Sequence, residues 1–462
     1  MNAVSALIAL LVIFAAGFGA TMLLFKKRQP VPFVELFALS WLLGALFVSV
    51  ALPCLGIFCS GLALQWLVTL AAILAGWQGL KSLRKSGHAI TWPRPANPLE
   101  TALCFVLLVE FMVMLFMAAR ESLGWDGLLV WEIKARYAFL NGGHLPLRYF
   151  VDETRLWSHP DYPLFLPMLE TWLYLWIGDC DQFWVRIIFP PFYIAAAFLL
   201  YLGASRLSGK RWIGLLAAAL LFFLPCALTG EGNLLAGYAD FPLAVLYLAS
   251  VVYFLDWKRE ASFQNTAIFS IIAGAMPWMK HEGIVLWACM MAQAVFQFAR
   301  RRNFQAALLV PLPGLALWAG WNIATKILKV PANTDFLPLS FHVFRANAHR
   351  YGSIVREICR ELSNPTHWSI LWLVFLIAVP LLLVKLRQRV AIFLSLSAVI
   401  PVCFYSGVYI FSAWPSYMDH IQTSFPRLAL QVSLVALLTI SISPAAGRKE
   451  GLWKQARRSP FD

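Results

Sequence analysis

Charge is scarce in this chain. Asp, Glu, Lys and Arg make up 13% of its 462 residues, while 60% are hydrophobic. That excludes a water-soluble domain, because too little polar surface remains to cover one. Carboxylates are the scarcer sign: 23 Asp and Glu stand against 37 Lys and Arg, a formal net charge of +14. Such an excess invites a nucleic-acid reading. The basic residues, however, fall in short clusters between apolar runs, which is the pattern of cytoplasmic loops. Nucleic acid is therefore not an expected partner. Cysteine motifs are missing too. The eight cysteines (54, 59, 104, 180, 226, 289, 359 and 403) show no CxxC and no metal-ligand spacing. Most lie in or beside apolar runs, where Cys acts as a small hydrophobe, so neither a disulfide framework nor a zinc site is expected. No Walker motif, helix-opening GxGxxG, HExxH or GxSxG is found. There is no internal repeat, low-complexity tract or appended soluble domain.

What is present is a series of apolar runs near 20 residues, each long enough to cross a hydrocarbon core of about 30 Å as a helix. The expectation is an all-α polytopic membrane protein. Spans are expected at 3–25, 33–53, 59–80, 98–118, 184–204, 211–229, 240–256, 264–279, 283–299, 304–326, 368–386, 389–411 and 427–443, about thirteen in all. The first run ends in Lys26-Lys27-Arg28. A signal peptide carries its positive charge before the run, so this one reads as a retained anchor with its N-terminus outside. Alternating from there leaves 23 of the 37 Lys and Arg in inside loops, including Arg300–Arg302, Arg387 and the tail from Arg448. Sixteen of the 23 carboxylates and seven of the eight histidines fall outside or at the outer edge. That separation supports the threading, with one exception to explain. "YPLFLPMLETWLYLWIG" (162–178) is apolar, but it is short and holds Pro163, Pro167 and Glu170. A crossing here would flip every later basic cluster. It is read as a helix in, or dipping into, the outer interface.

Polar residues gather at the outer edge. The stretch "ARESLGWDGLLVWEIKARYAFL" (119–140) mixes Asp126, Glu132, Lys134 and Arg136 with Trp125, Trp131, Tyr137 and Phe139. On helical spacing Glu132 and Arg136 can pair. Apolar side chains run all the way round, as in an interfacial helix that floors a site at the membrane surface. Asp126 reads as a helix N-cap or as a site acid. "WSHPDYPLFLP" (157–167) sets His159 and Asp161 among prolines that stiffen the turn. Asp240, in "GYADFP", reads as an N-cap with Pro242 in the first turn, or as an acid facing the same cleft. "KHEG" (280–283) squeezes Lys280, His281 and Glu282 between spans, as a solvated turn or as a cation pair for phosphate. Arg427 begins the last expected span and His420 precedes it by seven residues. Arg427, Arg136 and Lys280 are basic on the side where bases are rare.

Taken in order, the Asp126 loop, "HPDYPLFLP", "GYADFP" and "KHEG" resemble the GT-C superfamily of integral-membrane glycosyltransferases. The nearest branch holds bacterial protein O-mannosyltransferase-like and aminoarabinose-transferase-like enzymes. The resemblance covers roughly 98–300 and "MDHIQTSFPRL". It divides the chain into N-terminal helices (1–97), a catalytic core (98–300) with outer loops 119–183, 229–240 and 279–283, and C-terminal helices (301–462) with outer loops 327–367 and 412–426. It implies transfer of a sugar from a polyprenyl-phosphate donor to a glycan, lipid or protein acceptor, amid membrane lipids, on the periplasmic face of a bacterial inner membrane. By motif, Asp126 matches the first-loop acid, Asp240 the second-loop acid and Lys280 the lysine of the family's "KG" turn. Here His281 and Glu282 come between Lys280 and Gly283. The family's first acid is often one of a pair, whereas Asp126 is followed by Gly127, leaving Glu132 and Asp161 as candidate partners. Asp126 and Asp240 are thus the expected catalytic residues. Lys280, His281, Arg427, Arg136, His159, Asp161 and His420 are the expected substrate and phosphate ligands. No cofactor is specified, and a divalent cation is left open.

Overall fold

The computed structural model describes residues 2–25, 30–86, 89–230, 232–331, 335–385 and 388–443. The clusters Lys26–Arg28, Arg387 and the tail from Arg448 lie outside the described residues. The described chain is mainly helical, and its strand content is the two-residue parallel pair of Val31–Pro32 with Ile90–Thr91 and an isolated bridge between Phe336 and Ser412.

Among the described residues ten helices are long and apolar enough to cross a membrane. The expected thirteen therefore exceed what the described residues form at full length, and prolines mark where they differ. The run at 211–229 divides into Arg211–Ala219 and Pro225–Leu228. Leu224, just before Pro225, is extended (φ −101°, ψ 92°), as the proline ring demands of its predecessor. Phe263–Met279 has 17 residues with Pro277 inside it, and Leu371–Lys385 has 15 with Pro380 inside it.

The helices differ sharply in what covers them. Asp240–Arg259 is buried along the whole of its apolar window, Tyr417–Ile442 along 89% and Gln182–Ser208 along 83%, whereas Pro98–Arg120 and Phe304–Ile327 are buried along only 17%. Phe105, Leu108 and Phe116 point outward from Pro98–Arg120. In water such a face would be an aggregation liability; against lipid tails it has no penalty. The result is a protein-wrapped centre inside a lipid-compatible rim.

Small residues let the first two helices touch. A Cβ added at Gly17 would lie 1.7 Å from the Ser40 carbonyl oxygen, and one at Gly44 would lie 1.9 Å from that of Ile13. The far end of the central helix is tied electrostatically. Arg206 places Nη2 2.6 Å from Glu35 Oε2 and Nη1 2.5 Å from Asp256 Oδ2, while the Tyr253 hydroxyl donates to Glu35 Oε1. Three helices are joined there.

The 162–178 stretch forms Phe165–Ile177, 13 residues, too short for a crossing. It is more enclosed than an interfacial helix would be. Phe165 through Tyr174 are all buried, and Trp172 Nε1 donates to the Ala9 carbonyl at 3.0 Å. It packs on the first two helices and on Ile133–Leu140. Glu170 is wholly buried, and burial pushes its carboxyl well above the usual range.

The packing yields a direct check. Gly44→Ala has to push helices apart, and overpacking of this kind costs about 1–3 kcal/mol. Gly320 has open space around its Cβ direction, so Gly320→Ala gains helix propensity of about 0.5–1 kcal/mol. Melting in one detergent should therefore fall for Gly44→Ala and hold or rise for Gly320→Ala. Equal melting of the two would contradict the close approach.

Candidate functional site

Asp240 is the first residue of its helix, one place past the N-cap residue Ala239. Its carboxylate is occupied by side chains from other segments. It is fully buried and accepts from Lys280 Nζ at 2.9 Å, Gln431 Nε2 at 2.7 Å and Arg427 Nε at 3.3 Å. Pro242 sits in the first turn, where its missing N–H is harmless.

Lys280 follows Pro277 and leaves its helix in an extended conformation (φ −159°, ψ 158°). The turn then folds back tightly: a Cβ at Gly283 would lie 1.9 Å from the Met276 carbonyl oxygen. This fold-back aims Lys280 inward. Only 2% of it is exposed, and Nζ also lies 3.1 Å from Glu282 Oε1. The solvated-turn reading of "KHEG" is thereby corrected for Lys280, while the His281 and Glu282 side chains stay partly exposed.

Arg427 comes from the helix after Pro426. Its Nη2 is 2.5 Å from Asp126 Oδ2, and its guanidinium lies over the Tyr238 ring at 4.8 Å. Asp126 stands at the entrance to a π-helical turn, Gly127–Glu132, a geometry that often accompanies functional sites. Its segment is pressed against 236–238. Gly124 N–H donates to the Ala236 carbonyl at 2.8 Å, Asp126 N–H donates to the Tyr238 hydroxyl, and a Cβ at Gly127 would fall 2.1 Å from the Ala236 carbonyl oxygen. That contact explains why glycine, rather than a second acid, follows Asp126.

A second group adjoins the first. Asp161 Oδ2 is 2.9 Å from His281 Nε2, and Trp321 Nε1 donates to the Asp161 carbonyl. Burial works to raise the Asp161 carboxyl, but His281 and His159 together help hold the group below its usual value. His159 takes a left-handed conformation (φ 50°) and stacks on Tyr162, whose ring meets His281 edge-on. Burial lowers the His159 imidazole.

Some expected residues lie apart. Arg136 is paired to Glu132 at 2.9 Å, the spacing the sequence suggests, and Glu132 also accepts from the Tyr174 hydroxyl at 2.6 Å. That carboxylate is engaged away from Asp126, which corrects Glu132 as its partner and Arg136 as a member of this cluster. His420 bonds Ser412 Oγ and stacks on Trp414, outside the Asp240 cluster.

Others were missed. Gln431 lies one helical turn beyond Arg427, on the same face, and that spacing was a readable signal. Lys134 is fully buried, with Nζ donating to the carbonyls of Val130 and Ser158 at 2.6 Å each. Burial brings its amine down to about 7, against the pull of Asp161, Asp126 and Glu170. Its signal was a lone lysine among aromatics, since a buried charge needs partners.

The core of the site sets three carboxylates (Asp126, Asp240, Glu282) against two cations (Lys280, Arg427). Among the described residues no three His, Cys, Asp or Glu converge as metal ligands, and both catalytic candidates face cations. Comparison with known proteins gives no family model, no curated protein and no solved structure that matches this chain.

Buried ion pairs make a distinctive prediction. Asp240→Leu leaves the buried Lys280 with only the partly exposed Glu282 as an ionic partner and should cost about 3–5 kcal/mol, the usual penalty for breaking such a pair from one side. Adding Lys280→Met removes the buried charge and should recover part of the loss. Denaturation in detergent decides it, and a double variant no more stable than the single one would count against the pairing.

Proposed function

We propose that this chain is a membrane glycosyltransferase that moves a sugar from a polyprenyl-phosphate donor to a glycan, lipid or protein acceptor. The site is taken to face the periplasm from a bacterial inner membrane. One observation carries the reading: Asp126, Asp240, Lys280 and Arg427, far apart in sequence, meet at one end of an apolar bundle. A lipid-borne substrate needs such a place, where its charged head meets polar groups while its chain stays in the bilayer.

The chemistry follows from charge. As the sugar departs, the bond between the anomeric carbon and the phosphate oxygen breaks, and its electron pair goes to the phosphate. A new bond forms from the acceptor oxygen or nitrogen to the same carbon, and the acceptor proton passes to Asp126. Phosphate leaves readily once its growing charge is matched, so cations matter more than a general acid. Arg427 offers a planar pair of donors and Lys280 a point charge. Asp240 keeps both cations in place. One displacement inverts the anomeric centre.

A transporter of lipid-linked sugars is the second reading. Glu110 favours it: this mid-helix carboxylate is buried, and neither oxygen has a hydrogen-bond partner among the described residues. A polymerase or ligase acting on lipid-diphosphate donors is the third, and donor choice separates it.

Two experiments test the proposal. Asp126→Asn keeps the shape and removes the proton acceptor, so transfer from a polyprenyl-monophosphate sugar in vesicles should fall by about 100-fold or more with normal membrane insertion. Near-normal turnover would remove Asp126 from the role. For orientation, Asp152→Cys and Lys258→Cys are made on a background without native cysteines. An impermeant thiol reagent should label position 152 in whole cells and position 258 only after lysis.

A further inference from the structure

The glycosyltransferase reading gives Asp126 and Arg427 separate tasks, one as base and one as phosphate ligand. In the structure they hold each other, at 2.5 Å. The two carboxylates on Arg427 are not equivalent. Asp240 is fully buried and receives three donors, from Lys280, Gln431 and Arg427. Asp126 has Arg427 as the only partner of its carboxylate among the described residues, and its side chain is 18% exposed. They also use different nitrogens, Nε for Asp240 and Nη2 for Asp126. Losing Asp126 would leave Arg427 anchored by Asp240 and lying over Tyr238, with one edge open.

That open edge suits a phosphate. Guanidinium binds phosphate and carboxylate through the same fork of N–H groups. A phosphate monoester carries more charge than a carboxylate and brings three acceptor oxygens. Resting on the donor reading above, we propose that Asp126 and the phosphate of the carrier lipid compete for the Nη edge of Arg427, so that binding the donor is what releases Asp126 to act as base.

Three consequences follow. While Asp126 is held on Arg427, its Oδ2 is engaged by the guanidinium and is not free to meet the acceptor's proton. Acceptor or water is then not activated until a sugar is in place. The donor must bind first and the acceptor second. After transfer Asp126 carries the acceptor's proton, and once that proton is lost the carboxylate returns to Arg427 and helps expel the spent carrier.

The test uses binding rather than turnover. The full chain in nanodiscs is titrated with polyprenyl monophosphate, read by intrinsic tryptophan fluorescence. If Asp126 competes, Asp126→Asn and Asp126→Ala should each bind the lipid about tenfold more tightly than wild type, a change of about 1.4 kcal/mol, while losing transfer. Asp152→Asn removes the same charge from the 119–183 loop, but its carboxylate pairs with Arg155, so its affinity should match wild type. Unchanged or weaker binding by the Asp126 variants overturns the competition, as does equal tightening by Asp152→Asn, which would show a general effect of charge. If no form binds the lipid, the donor reading itself fails, and the competition with it. A measurement on the unmodified protein guards against misfolded variants. Carbodiimide labelling of Asp126, mapped by mass spectrometry, should rise when polyprenyl monophosphate is added. Labelling that falls or stays level overturns the proposal.

Discussion

The architecture turns on one buried carboxylate. Asp240 accepts from Lys280, Arg427 and Gln431 with none of its surface exposed. These partners come from the turn after Phe263–Met279 and from the Tyr417–Ile442 helix. A charge so enclosed is tolerable only when its hydrogen bonds are complete. The need to complete them fixes how three separate segments meet. The tight turn at Gly283 and the left-handed Gly232, whose added Cβ would strike Arg427 Cγ at 2.6 Å, are backbone solutions to the same demand.

The membrane character of the fold was legible because it depends on composition and run length. Helix count was less so. A hydropathy run does not reveal where a proline will end a helix, and Pro225 breaks a run that is otherwise uniform. Phe165–Ile177 shows the other difficulty. Pro163, Pro167 and Glu170 argued correctly against a crossing, but whether lipid or protein covers an apolar helix depends on tertiary packing, here on Ala9 and its neighbours.

The candidate site was half readable. Asp126, Asp240, Lys280 and Arg427 stood out as polar residues beside apolar runs, and the structure brings them together. The same rule over-selected Arg136 and His420, because local partners had already claimed them. Glu132 lies one turn from Arg136, and Ser412 lies eight residues from His420. It under-selected Lys134, whose acceptors are main-chain carbonyls and so leave no trace in the side-chain pattern. An ion pair between residues 187 apart, such as Arg427 with Asp240, cannot be inferred from spacing at all.

The Asp240–Arg259 helix is clamped at both ends. Lys280, Arg427 and Gln431 grip its first residue, and Arg206 grips Asp256 near its last turn. It can neither slide along its axis nor rotate without breaking a buried ion pair. It therefore serves as a fixed post through the middle of the bundle. Asp126 is fastened to that frame by far less: an ion pair with Arg427 and contacts between the 124–127 and 236–238 segments. Displacing Asp126 thus breaks one ion pair, whereas displacing Asp240 breaks two and a hydrogen bond to Gln431 besides.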